Sequence, residues 1–300
     1  MRNYIQNRKP MNNIGVTIIA HSVNPQGNSI ATVELEYPRM IHAELMTHRV
    51  FSRNAASSRA IPTKKMREQV RKQPAMPVYW GANQPGMKAK AQLTGKRKTF
   101  AIWSWKMAGK VVANMHWCFE KIGLHKQIAN RILEPWQIMK TVITATEWDN
   151  AFWLRCHEDA QPEIRELFEE LQRELELSQP IKLEWGGWHL PYVTKQPFEP
   201  VMPIENQLAI SASCCAQVSY RRNDASLTKA KKIDNMLRTS ERIHASPFEH
   251  QAQAVLPNVA KADRKDSGFT HIDFDGHFWS GNFKHWVQHR QLIPNSNYTK

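Results

Sequence analysis

The chain has 300 residues, a formal net charge of +14 and a pI near 9.7, a balance that suits an anionic partner: nucleic acid, a membrane surface, or phosphorylated and carboxylated small molecules. No apolar run approaches the ~18 residues of a membrane span, residues 1–13 are polar and basic without a signal-peptide core, and the four cysteines form neither a CxxC pair nor a disulfide framework. Membrane-spanning and disulfide-rich secreted classes are thereby excluded, and a soluble cytoplasmic protein is expected. Length alone allows two average domains or one large one.

Residues 16–23 and 30–37 are β-prone, the second alternating Val33, Leu35 and Tyr37 against Thr32, Glu34 and Glu36 as a half-buried strand does. The turn cluster Asn24-Pro25-Gln26-Gly27-Asn28 between them predicts a hairpin. Pro38 suits a first helical position, and Ile41, Leu45 and His48 follow at helical spacing. That helix leads into residues 44–59, which carry three arginines, a histidine, three serines and an asparagine. Glu44, Thr47 and His48 share a helix face by i, i+3, i+4 spacing. The Ser/Asn/Ala/Ser/Ser run after them has little to bury, which predicts a loop whose backbone N–H groups can face a ligand. The residue types by themselves fit a cationic helix end with a solvated loop, or a phosphate or nucleotide site.

Residues 62–98, with Pro62, Pro74, Pro77, Pro85 and Lys96-Arg97-Lys98, read as a basic irregular surface excursion, with phosphate or polyglutamate contact as a second option. Trp103, Met107, Val111, Met115 and Phe119 recur every four residues, predicting a helix over 99–122 that Gly123 ends and whose aromatic stripe is core. A shorter helix with Gln127, Asn130 and Arg131 stops near Pro135. From Trp148 to Leu177 the pattern is helical in two parts. Pro162 opens the second, where Ile164, Leu167, Phe168, Leu171 and Leu175 oppose a solvated glutamate face. Trp185-Gly186-Gly187-Trp188 begins a rigid turn, packed in a buried loop or on an aromatic ligand. Residues 211–220 read as a short helix, 221–232 as a basic linker, 233 onward as a helix, and 281–290 as a polar, aromatic helix. On that last helix His285 and His289 would lie four apart, the spacing of a chelating pair. No carboxylate or cysteine accompanies them, so no metal is expected. No Walker-type or dinucleotide-binding glycine pattern occurs.

Three blocks resemble one family. His48-Arg49, then seven residues, then Ser57, with Arg59 two further on, is similar to the Arg-His-Arg-x7-Ser signature of the flavin-dependent thymidylate synthases. Thr47 stands where the first arginine is found, and Ala55 where a glutamate is frequent. Asn150-Ala151-Phe152-Trp153-Leu154-Arg155, then Ala160-Gln161-Pro162-Glu163-Ile164-Arg165, resembles the family's helix pair, and His244-Ala245-Ser246-Pro247-Phe248-Glu249-His250 its Ser/Thr-Pro-Phe-Glu-His segment. The last normally precedes the His-Arg motif and here follows it, while the stretch from Ser213 to Tyr220 resembles the family's opening helix. The likeness is therefore to a rearranged or circularly permuted, phage-type member.

The resemblance implies one catalytic domain over 1–300, with 1–13 a flexible N-terminal segment. It implies an α+β fold with an antiparallel sheet flanked by helices, and a homotetramer with active sites at subunit interfaces. The implied reaction is FAD-dependent reductive methylation of dUMP to dTMP, with 5,10-methylenetetrahydrofolate and NADPH as co-substrates and no obligatory nucleic acid or membrane. By position, Thr47, His48, Arg49, Asn150, His244 and Ser246 would meet FAD. Glu44, Ser57, Ser58, Arg59, Asn130 and Arg131 would hold dUMP and its phosphate, and Arg155 would face the pyrimidine as the catalytic group. A pyrimidine C5 becomes nucleophilic as negative charge grows on N3 and the ring oxygens, so a guanidinium at that edge stabilises charge where it appears. Two other readings share these residues. One is methyl or hydroxymethyl transfer to another pyrimidine nucleotide such as dCMP. The other is a basic single-stranded nucleic-acid binding protein, although most tryptophans fall on helical apolar stripes.

Overall fold

The alternating segments near the start of the chain pair as their pattern predicts. In the computed structural model, which describes residues 14–193, 202–219, 223–239, 243–255 and 268–296, β1 (Gly15–Val23) and β2 (Ser29–Pro38) form an antiparallel hairpin. Asn24 closes it: its Oδ1 accepts from the N–H groups of Gln26 (3.0 Å) and Asn28 (2.9 Å), and Gly27 supplies a φ of 87°. The expected flexible segment 1–13 lies outside the described residues, as do Tyr220 and Arg221.

A 3-10 turn and one α-helical turn, α1 (His42–Leu45), lead into β3 (Ser52–Ala55). Then come α2 (Thr63–Lys72), α3 (Gly95–Lys121), α4 (Lys126–Ala129), β4 (Ile138–Ala145), α5 (Asp149–Arg155), α6 (Pro162–Leu177), β5 (Ile181–Lys182) and β6 (Trp188–His189). The chain continues through α7 (Ile204–Ala216), α8 (Leu227–Thr239), β7 (Ala252–Ala254), β8 (His271–Ile272), β9 (Phe278–Ser280), β10 (Phe283–Lys284) and β11 (Trp286–Gln288). The main sheet has the order β3-β4-β2-β1-β5 and is antiparallel except for β5; the strands β11-β7-β6 and β10-β9-β8 make two smaller sheets. Antiparallel sheets flanked by helices give the expected α+β class.

The apolar stripe of α6, Ile164, Leu167, Phe168 and Leu171, is buried against Val33, Leu35, Tyr37 and Ile143 on one face of the main sheet. Pro162 at the helix start fixes where that stripe begins. The other face is covered too: Thr32 and Thr144 are fully buried, and Val142 packs on Cys215 of α7. β2 is therefore a central strand buried on both sides rather than a half-buried one. Among the described residues no helix is long and apolar enough to cross a membrane.

Several elements differ from their sequence reading, each for a physical reason. Residues 63–72 of the supposed irregular excursion form α2, because Met66 and Val70 pack on Ala113, Leu133 and Trp136. The every-fourth stripe of α3 faces outward, with Trp103, Val111 and Met115 more than half exposed. Its packed face is the small-residue one, Gly109 and Ala113, where a Cβ on Gly109 would lie 3.0 Å from the Trp136 ring. Periodicity identifies an apolar face but not the one that docks, and close approach selects small residues. Only the second half of the Ser/Asn/Ala/Ser/Ser run is a loop: the open edge of β4 takes up Ser52–Ala55 as β3, and residues 56–60 turn away after it. Helix α8 begins at Leu227, inside the supposed linker. Residues 283–288 are strands, with His285 at φ 62° between them, so the i, i+4 geometry proposed for His285 and His289 does not exist. Glu163 is buried rather than solvated, accepting from the N–H of Val78 at 2.9 Å.

Candidate active site

Ile41 and Leu45 anchor the short α1 segment in the core, which turns Glu44 and Thr47 outward on the same face. Helix α5 delivers Arg155 to them from its last turn, where a cation complements the helix dipole. The Arg155 Nε–H donates to His48 Nε2 at 2.9 Å, Nη1 to Glu44 Oε2 at 3.3 Å, and Nη2 to Thr47 Oγ1 at 3.0 Å. Each terminal nitrogen keeps a second N–H for a ligand. Residues from two distant sequence blocks thus converge on one guanidinium.

His48 is buried between the rings of Phe51 and Phe168, at centroid distances of 5.4 and 5.6 Å. That burial, reinforced by the charges of Arg155 and Arg53, pushes its pKa down to about 4. A neutral imidazole whose Nε2 lone pair is committed to Arg155 is a brace for that arginine; Nε2 is not open to a cofactor. Arg53, which sequence reasoning passed over, donates to the carbonyls of Met46 (2.7 Å) and His48 (3.1 Å) and fixes the turn that carries His48. Its signal was available in the sequence: an arginine on an apparent loop, inside the seven-residue spacer between Arg49 and Ser57.

The expected phosphate loop is built differently from a free N–H cradle. The N–H of Ala56 goes to Lys140 O, that of Ser57 to Ser219 Oγ at 2.9 Å, and that of Arg59 to Ser57 Oγ at 3.3 Å. Asn130 is fully buried, donating to the carbonyls of Ser58 (2.7 Å) and Ile61 (3.0 Å) and bonded through Oδ1 to His116 Nε2. It shapes the loop from behind and does not reach a ligand. Ser58 is buried, whereas Ser57 and Arg59 face solvent. Arg131, half-exposed, is paired with Glu134 at 2.7 Å, and Glu134 also takes Arg39.

The third block arrives from the far end of the sequence. Gln288 Nε2 donates to Asn282 Oδ1 (2.7 Å), Ser52 Oγ (3.2 Å) and the Glu249 carbonyl (3.3 Å), and Asn282 donates to the Val50 carbonyl at 3.0 Å. Arg290 pairs with Glu249. Behind these, Ser22, His189, Thr32, Thr144 and His250 form a buried hydrogen-bonded chain, each contact between 2.7 and 2.9 Å. This chain fastens His250 to the main sheet, and burial holds the pKa of His189 and of His250 at about 3. Residues 246–250 are thereby held beside β3. Arg49, Asn150, His244 and Ser246 are exposed and make no side-chain hydrogen bond to another described residue. Nothing in the sequence pattern singled out Asn282 or Gln288, since buried amides carry no periodicity. Asp273, Asp275 and His277 bring ligand atoms within 4.8 Å of one another, the one such group among the described residues. There Asp273 closes the β8–β9 hairpin by accepting from Trp279 Nε1 and the His277 N–H, both at 2.9 Å.

The α+β scaffold thus gathers Glu44, Thr47 and a neutral His48 around the Arg155 guanidinium. The profile of the thymidylate synthase complementing protein family matches residues 21–181, more than half of the chain. The chain belongs to that family and is an enzyme of the thymidylate synthase type. The matched segment takes in residues 44–59 and 146–165 in that order and ends before His244. Two crystal structures of the UMP/dUMP methylase PolB from Streptomyces cacaoi, bound with 5-Br dUMP and with 5-Br UMP, are similar over 56% of this chain. They are matched over 91% and 90% of their own length, at 14% identity and TM-scores of 0.46 and 0.45. No curated protein sequence matches the chain.

Proposed function

We propose that the protein methylates dUMP at C5 to give dTMP, using 5,10-methylenetetrahydrofolate as carbon donor and NADPH as reductant of a bound FAD. The observation that carries this reading is the Arg155 guanidinium, braced by Glu44, Thr47 and His48 with N–H groups left over for a ligand. Those N–H groups meet the pyrimidine edge, where charge grows as C5 becomes nucleophilic. Ser57 and Arg59, exposed at the end of β3, take the phosphate as hydroxyl and bidentate donor, and Arg131 adds a further cation. FAD, when bound, supplies the hydride chemistry that the chain lacks. Its fit rests on the exposed, uncommitted side chains of Arg49, Asn150, His244 and Ser246, which offer donors for an extended polar cofactor. Thr47, though half engaged with Arg155, has its hydroxyl at the solvent boundary and joins them.

The same reading makes residues 1–300 one catalytic domain, with the stretch from Ser213 to Tyr220 as its permuted opening helix. The contacts of Cys215 and Ser219 with Asn54 and Ser57 support it. Self-association as a homotetramer is supported by the apolar strip of Met107, Val111 and Met115 left open on α3. The purified protein should be yellow. Incubation with dUMP, methylenetetrahydrofolate and NADPH should oxidise the flavin and yield a product heavier by one methyl group. A colourless protein that takes up no FAD refutes the flavin reading. Reaction of dCMP but not dUMP, or a hydroxymethyl product, refutes the thymidylate assignment alone.

A further inference from the structure

Beside the packed seam of α2 and α3 lies a cavity of about 380 Å³ lined by Arg71, Lys72, Lys106 and Lys110 together with Val70 and Met76. No carboxylate lines it, and none of its three lysines forms an ion pair among the described residues. Asn114 holds the Arg71 guanidinium. Arg71 and Lys72 sit in the last turn of α2, where a helix dipole by itself favours cations. Lys106 and Lys110 lie in the middle of the long α3, so the dipole does not account for them. Like charges gathered around one cleft repel one another and are relieved by an anion.

The same face of α3 carries rings. Phe100 and Trp103 are 66% and 56% exposed and stack on each other at 5.7 Å, and Lys106 and Lys110 follow Trp103 at i+3 and i+7. From Phe100 to Lys110 the face runs ~15 Å at 1.5 Å per residue, too long for one mononucleotide. It presents two classes of group in succession, the exposed rings Phe100 and Trp103 and then the cations Lys106 and Lys110. A duplex hides its bases, and a simple polycarboxylate has no ring to stack. The ligand that presents both regular anions and accessible π-faces is a single nucleic-acid strand. We propose that the α2–α3 cleft, with Phe100 and Trp103, is an accessory site for single-stranded nucleic acid that turnover does not require.

Fluorescence anisotropy of an end-labelled oligo-dT against the full chain tests this. The strand should bind at 50 mM salt and weaken steeply toward 200 mM. Trp103→Ala should weaken binding about tenfold. Lys106→Gln with Lys110→Gln should flatten the log–log salt slope by about 1.4, the loss of two phosphate contacts on a single strand. All these positions are on the surface, so circular dichroism and dUMP turnover should stay as in the parent. Absence of binding at 50 mM salt overturns the proposal, as does an unchanged slope in the double variant. Displacement by excess dUMP would put the strand in the substrate site and overturn it as well. Polyglutamate competing as well as unlabelled oligo-dT would refute recognition of bases. A Trp103→Ala variant with intact affinity and a smaller assembly mass would assign this face to self-association instead. Strand affinity, its salt slope and the effect of Trp103→Ala are all read without dUMP or FAD, so those outcomes stand or fall separately from the proposed reaction.

Discussion

Replacing Arg155 separates its two roles, bracing and charge stabilisation. In Arg155→Ala, His48 Nε2 loses its donor and Glu44 its cation, and an unsatisfied buried acceptor costs about 1–3 kcal/mol of stability. The loss in kcat should be greater in kind. If the guanidinium meets charge that exists only in the transition state, kcat falls by about 10² to 10³, with KM for dUMP little changed. Lysine has a single nitrogen and cannot reach His48, Glu44 and Thr47 together, so Arg155→Lys should recover little activity. The imidazole reports the difference. Burial is the first cause of the low His48 pKa and the Arg155 charge the second, so the value of about 4 should rise in the alanine variant and stay lower in the lysine variant. Steady-state kinetics with dUMP and an NMR titration of His48 measure both. An alanine variant within a few-fold of the parent kcat, or one that loses only KM, would refute the assignment of Arg155 to the reacting ring.

Arg59→Ala should raise KM for dUMP and leave kcat near the parent value, because the phosphate carries the same charge in ground and transition states; an equal fall in kcat would contradict this. Cys214 and Cys215 are buried, with burial pushing the first thiol up to about 11 and the second well above its ordinary value. Iodoacetamide should label exposed Cys118 first and these two only on unfolding, and each cysteine-to-alanine variant should keep turnover within a few-fold. Burial holds His189, His250 and His289 at about 3 against an ordinary 6.5. The unfolded chain therefore takes up protons first as pH falls, and the stability tied to the neutral rings is complete above about pH 6.5 and lost between 6.5 and 3. At pH 5.5 each ring costs on the order of 1 kcal/mol and the three together several, which urea midpoints at pH 7.5 and 5.5 should register and an unchanged midpoint would deny.

The readable parts of the chain were those where local chemistry and tertiary context agree. The β1–β2 hairpin is set by Asn24 and Gly27, and α6 by Pro162 and an apolar stripe whose polar opposite leaves one face to bury. Arg155, Glu44, Thr47 and His48 were each singled out through the family resemblance, but with separate partners, Thr47 and His48 for FAD and Glu44 for dUMP; that they bond to one another was not legible, because contacts between distant blocks leave no local pattern. The direction of α3 was not legible, since a stripe of Trp, Met and Val looks the same whether it packs inward or waits for something outside. The strand β4 was missed for the converse reason: Met139, Thr141 and Val142 to Ala145 are buried on both faces, which removes the alternation by which strands are recognised. Asn130 read as a ligand residue because sequence shows a polar group near a motif and not the direction in which its amide points.

The edge strand β3 has a consequence in time rather than space. Its free side is covered by the turns at residues 217–219 and 246–249, and Ser52, Asn54 and Ser57 all bond to residues that lie far later in the chain. During synthesis, β3, with Arg53 on it, emerges long before the segments that cover it. Until residue 288 has been added, an unprotected sheet edge faces whatever other chains are nearby, and such edges pair readily. The interval between Ser52 and Gln288 leaving the ribosome is therefore the period of greatest exposure to aggregation. Slowing translation between those residues should lower the yield of soluble protein more than slowing it before Ser52.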